Sequence, residues 1–146
     1  MRERHHFLTT GGEFHEPYIQ AAPSNHMRAT SVDFGAYDPF SGADASGTGN
    51  IAITCSVGVP YSISLSSGSG TYRARSLTSG ADVLYYNLYT DASRHVVWGD
   101  GAGATATVGG AGTGIATNIA AHGRIPARQN ARAGAYSDDI VVTVDF

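Results

Sequence analysis

The chain has 146 residues, among them 21 alanines, 19 glycines and no lysine, and carries a formal net charge of -3. Only 14% of the residues are charged, against about 25% in an average soluble domain, and nine arginines facing twelve acids leave no basic footprint for nucleic-acid phosphates. The 42% hydrophobic share is enough for one packed core and excludes wholesale disorder, while no apolar run approaches the roughly 18 residues that an integral membrane segment needs.

Residues 1–28 read as a poorly ordered or non-native lead-in, and residues 29–146 as the folded domain. The lead-in holds His5, His6, His15 and His26 and all three glutamates. Its apolar residues Phe7, Leu8, Phe14, Tyr18 and Ile19 keep neither a strand nor a helix period, and Pro17 and Pro23 interrupt it. The start, Met1 to His6, is followed only by Phe7-Leu8 before Thr9-Thr10-Gly11-Gly12, without the apolar stretch of an export signal.

Further on, strands follow one another. Ile51, Ile53, Cys55 and Val57 alternate with Ala52, Thr54 and Ser56, which predicts one buried face. After Gly58-Val59-Pro60, Tyr61, Ile63 and Leu65 alternate with serines. A short strand is expected over Tyr72 to Leu77, with Arg73 and Arg75 turned to solvent. In 83–89 the set Leu84, Tyr86 and Leu88 is the better core face, because the opposite parity includes Asn87. His95 to Trp98 reads as a short strand, Thr105 to Val108 as strand-like, and Asn118 to Ile125 as a strand with Ile119, Ala121 and Ile125 inward. At the end, Tyr136, Ile140, Val142, Val144 and Phe146 share one parity. Many short strands between turn signals, with no significant helix, predict an all-β sandwich.

Candidate chemistry is sparse. Cys55 sits on an apolar strand face and reads as a small buried hydrophobe; as the lone cysteine it excludes an intrachain disulfide. Asp91, His95 and Asp100 lie close enough around a turn to touch, yet turn acids beside a histidine are common and no second cluster supports catalysis or a metal. His5-His6 lacks ligand spacing on a defined element. The run Gly99-Asp100-Gly101-Ala102-Gly103 has no following lysine for a phosphate cradle and reads as turn glycines. Trp98 is a sugar-stacking platform in one reading and an edge-packing residue in the other. No catalytic, cofactor-binding or metal residues are assigned, so the chain is read as a non-enzyme without a cofactor. The amphipathic C-terminal strand can add its backbone to a sheet edge.

From Ser31 to Phe146 the chain resembles the spore coat protein U domain family, which includes the major subunits of archaic chaperone–usher pili. The resemblance is carried by Ser31-Val32-Asp33-Phe34-Gly35-Ala36-Tyr37-Asp38-Pro39, Gly49 to Cys55, Ala81 to Ala92, and Val97-Trp98-Gly99-Asp100-Gly101. It continues in Gly123-Arg124-Ile125-Pro126-Ala127, Gln129-Asn130 and Gly134-Ala135-Tyr136-Ser137-Asp138. It implies an incomplete immunoglobulin-like, pilin-type sandwich, exported to the periplasm and then placed on the cell surface in a fibre. Its implied partners are a periplasmic pilus chaperone, an outer-membrane usher, and neighbouring subunits as strand donors. Donor-strand complementation, adhesion and biofilm follow from the same resemblance.

On that basis, the expected acceptor groove and chaperone-contact strand comprise Ile51, Ile53, Cys55, Val57, Ile140, Val142, Val144 and Phe146. Family members usually pair the cysteine matching Cys55 with one in the region that here reads Pro23 to Ala29, which has none. They also carry a signal peptide and an alternating apolar donor segment upstream, so residues 1–28 are read as a truncated, misassigned or replaced start, the alternative being a diverged or decayed member of the family. Two other functions compete: a spore-coat or extracellular matrix structural protein, and a small carbohydrate-binding sandwich using Trp98 with Tyr85, Tyr86 or Tyr89.

Overall fold

A computed structural model of the protein describes the strand Arg2–Leu8 and residues 25–146. The described residues form nine strands and no helix: β1 (Arg2–Leu8), β2 (His26–Ala29), β3 (Ala45–Thr54), β4 (Pro60–Leu65), β5 (Arg75–Ser79), β6 (Asp82–Tyr89), β7 (Val108–Ala111), β8 (Ala116–Ile125) and β9 (Asp139–Asp145). All the strand pairings are antiparallel. One sheet has the order β1-β9-β4-β7 and the other β2-β3-β8-β6-β5.

The period-2 segments bury the faces expected of them. Tyr61, Ile63 and Leu65 on β4 and Ile140, Val142 and Val144 on β9 turn inward, while Ser62, Ser64, Val141 and Thr143 are only partly covered. They join Ile51, Ile53, Leu84, Tyr86, Leu88 and Ile125 of the facing sheet in one cluster. After β2, Val32 and Phe34 cross the inner side of β3 and β8. Gly123 makes room there, since a Cβ at that position would stand 2.6 Å from the Phe34 ring. The ring meets Tyr86 edge-on, centroids 5.9 Å apart. The expectation of an all-β sandwich is borne out.

Several local expectations are corrected. Most of the expected lead-in 1–28 lies outside the described residues; within it Arg2–Leu8 pairs with β9 and His26 to Arg28 with β3. The expected strand from Tyr72 begins only at Arg75, because Thr71 N–H bonds to the Ala74 carbonyl in a turn. Arg75 is fully buried, not solvent-facing. His95 to Trp98 is an irregular segment touching its neighbours through isolated bridges. On the outer parity of β6, Tyr85 is exposed, but Asn87 and Tyr89 are buried.

The molecule has two poles. At the C-terminal pole β3 ends and β8 begins (Thr54 opposite Ala116), β2 begins (His26 opposite Thr54), and β1 begins where β9 ends (Arg2 opposite Asp145). At the far pole Ala45 opposes Ile125 and Leu8 opposes Asp139.

Candidate strand-acceptor site

The strand with most to offer a partner is β9. On one side it pairs with β4, Leu65 opposite Val142 and Ile63 opposite Val144. Among the described residues its other side is occupied by β1 alone, over seven consecutive pairs from Arg2 opposite Asp145 to Leu8 opposite Asp139. Within this register Phe7, His5 and Glu3 are the partners of Ile140, Val142 and Val144, the three β9 residues with no solvent exposure. Removing β1 would leave a full row of β9 backbone donors and acceptors unpaired, with that buried row beside it. In the facing sheet the neighbouring rim is β2, four residues long and paired only with β3.

Six of the eight expected groove residues belong to this interior: Ile51, Ile53 and Cys55 from one sheet, and Ile140, Val142 and Val144 from the other, are buried in the same cluster. Phe146 is half-buried at its margin. Val57 is not part of it. The strand stops at Thr54, and a turn in which Val59 N–H bonds to the Ser56 carbonyl leaves Val57 79% exposed at the C-terminal pole.

Cys55 is a free, buried thiol that approaches the Val59 carbonyl at 3.5 Å. Where the resemblance places a disulfide to this strand, Asn25 makes a polar tie. Its Oδ1 accepts from the Ser56 backbone N–H at 3.0 Å and lies 3.4 Å from the Ser56 hydroxyl.

The other candidates fall into structural roles. Asp91 accepts from the Ser93 hydroxyl and from the backbone N–H groups of His95 and Val96. These bonds, Ser93 foremost, hold its carboxyl well below the ordinary carboxylate range. Asp100 instead accepts from Ala102 N–H, in a turn where Gly101 and Gly103 have positive φ. The three residues therefore organise two separate turns and not a catalytic cluster. Because the folded-state pKa of Asp91 is depressed, its support for the turn is present at neutral pH and fades only as pH falls through and below the ordinary carboxylate range. Asp91→Ala is expected to accelerate amide hydrogen exchange at His95 and Val96 at pH 7, leaving the exchange of β9 unchanged.

Trp98 is completely buried and its indole N–H donates to the Ile63 carbonyl at 3.0 Å, so no face is open to a sugar. Among the described residues no group of three or more His, Cys, Asp or Glu could hold a metal ion, and no helix is long and apolar enough to cross a membrane.

Two residues with structural consequences escaped the sequence reading. Arg75 donates to the carbonyls of Ser66 and Trp98 and to Asn87 Oδ1 at 2.6–3.1 Å. Gln129 accepts from Tyr85 N–H at 2.8 Å and donates to the Tyr85 carbonyl at 2.7 Å, pairing the outer end of β6 as a strand would. The only sequence signal for Gln129 was its place in a family run.

The arrangement is that of an all-β sandwich in which the strand Arg2–Leu8 completes one sheet along β9. The chain belongs to the Spore Coat Protein U domain family, whose pattern matches residues 18–143. It is similar to Protein U of Myxococcus xanthus, 30% identical over 132 residues, covering 80% of this chain and 72% of that one. Among solved structures it is similar in fold to a chain of the CsuC–CsuE chaperone–tip adhesion subunit pre-assembly complex, from archaic chaperone–usher Csu pili of Acinetobacter baumannii. The TM-score is 0.52 at 16% identity, and the match covers all of this chain and 40% of that one.

Proposed function

We propose that this protein is a structural subunit of a surface fibre of the chaperone–usher type, assembled by strand addition at β9. The observation that carries the reading is the seven-residue ladder along β9, made by a segment separated from β2 by residues 9–25. A seat of this form accepts any extended strand of suitable register. In a pilus the occupant would be an extension of the neighbouring subunit, and before assembly a strand of a periplasmic chaperone. An outer-membrane usher would order the subunits, and adhesion and biofilm would be the properties of the fibre. The proposed groove residues are Ile51, Ile53, Cys55, Ile140, Val142, Val144 and Phe146, with Val57 left out on geometry. The "Spore Coat" in the family's description supports a second reading, a coat or matrix protein that uses the same edge without an usher.

The test is a synthetic peptide of alternating Val/Ile and Thr/Ser residues, present in excess while the full chain refolds from denaturant so that it competes with Arg2–Leu8 for β9, with a scrambled peptide of equal composition as control. At about 100 times its Kd, a ligand specific for the folded state adds about 2.7 kcal/mol of stability. A clear rise in melting temperature with the alternating peptide alone is expected. Equal response to both peptides, or none, would sink the reading.

A further inference from the structure

The two poles carry complementary apolar features that the strand seat does not use. At the C-terminal pole Val57 and Ile115 are 79% and 72% exposed, on adjoining turns tied together by hydrogen bonds from Gly58 N–H to the Gly112 carbonyl and from Gly114 N–H to the Cys55 carbonyl. At the far pole is an open cavity of about 730 Å³, lined by Tyr37, Pro39, Phe40, Leu84, Ile125 and Tyr136. Phe40 on its rim is 93% exposed. Its walls are stiffened by polar ties behind the apolar faces: the Tyr37 hydroxyl donates to the Pro126 carbonyl at 2.7 Å, and the Tyr136 hydroxyl to the Arg132 carbonyl at 2.7 Å. A protruding apolar tip at one end and an apolar hollow at the other are costly to leave in water.

The direction of β1 says what each would meet. That strand runs along β9 from the C-terminal pole to the far pole and ends at Leu8 beside Asp139. The sandwich of the same chain then starts, at β2, from the C-terminal pole. A copy whose Arg2–Leu8 segment lay in another copy's β9 seat would therefore leave its acceptor at the acceptor's far pole and begin its own fold at its own C-terminal pole. Strand donation in this direction brings tip to hollow.

We infer that the Val57–Ile115 tip of one copy of this chain docks into the Tyr37–Phe40–Tyr136 hollow of the next, a second inter-subunit contact beside the donated strand. The inference rests on the strand-addition reading given above. The two surfaces differ and lie at opposite poles, so the contact is heterologous and can repeat from copy to copy along a fibre.

The experiment compares wild type, Val57→Asp, Phe40→Asp and the double variant Val57→Lys with Phe40→Asp. Each is refolded as the full chain at high concentration, so that strands can exchange between copies, and followed by sedimentation velocity. Binding of the alternating peptide is measured alongside. Each Asp variant is expected to weaken self-association at least tenfold with peptide binding and melting temperature unchanged, since both positions are exposed. The Lys/Asp pair is expected to restore part of it. Peptide binding with no self-association of the wild type, or with Asp variants that assemble as the wild type does, overturns the tip-to-hollow contact and spares the strand seat. Failure of the wild type to bind the peptide overturns the seat itself, and this inference with it.

Discussion

Arg75→Ala is expected to cost about 4 kcal/mol or more in unfolding free energy, which would bring a domain of ordinary stability close to collapse. The guanidinium is fully buried at the start of β5. Burial lowers its pKa, while the surrounding Tyr86, Tyr72 and Asp138 act in the opposite direction. Its donors serve three acceptors: the Ser66 carbonyl from two nitrogens, the Trp98 carbonyl and Asn87 Oδ1. Tyr72 lies against it, 5.4 Å from guanidinium carbon to ring centroid. Removing the side chain takes the guanidinium donors from the Ser66 and Trp98 carbonyls, at about 1–3 kcal/mol each, and leaves Asn87 Oδ1 with its bond from Leu88 N–H. Arg75→Met keeps much of the volume and none of the donors, so it separates polar loss from cavity loss. Arg75→Lys keeps the charge but cannot reproduce the planar fork. Urea unfolding should rank wild type above Lys, and Lys above Met and Ala. A Met variant within about 1 kcal/mol of wild type would show that the network contributes little net stability.

How much of this was legible depends on whether the cause was local. The inward rows of β4 and β9 were readable because serine and threonine alternate with branched apolar residues, and the strand period is exactly two residues by geometry. Arg75 was not readable. Its parity was counted through Arg73 as if one strand began at Tyr72, but the Thr71–Ala74 turn resets the face, and its acceptors come from Ser66, Asn87 and Trp98 in other segments. Val57 failed for the same reason. It has the parity of Ile53 and Cys55, yet the ladder ends at Thr54 before that parity can act. β1 was invisible to hydrophobic periodicity because Arg2-Glu3-Arg4-His5-His6 is charged; what defines it here is a backbone ladder to a strand at the opposite end of the chain. β9 was thus visible in its side chains, and the strand paired with it was not.

Trp98→Ala is expected to cost about 3–5 kcal/mol, as large-to-small replacement of a buried aromatic does. The residue acts as a bolt between the sheets. Its backbone N–H bonds to the Leu88 carbonyl of β6 at 3.0 Å, its indole N–H to the Ile63 carbonyl of β4 at 3.0 Å, and its own carbonyl receives Arg75. The next residue continues the tie, since Leu65 N–H bonds to the Gly99 carbonyl at 3.1 Å. Trp98→Phe should lose less, about 1 kcal/mol for the missing N–H bond and a smaller packing loss, and so divides the total between polar tie and volume. The Ala variant also discriminates between functions. A sugar platform would lose glycan retention at unchanged stability, whereas a buried bolt loses stability and alters no glycan binding. The rise in melting temperature on adding the alternating peptide should persist in Trp98→Ala, because the β9 flank that would take the peptide is on the side away from β4. If truncating Trp98 abolishes the peptide's effect while the variant remains folded, the bolt and the strand seat are one cooperative unit, and the seat cannot be treated as an independent rim of the sandwich.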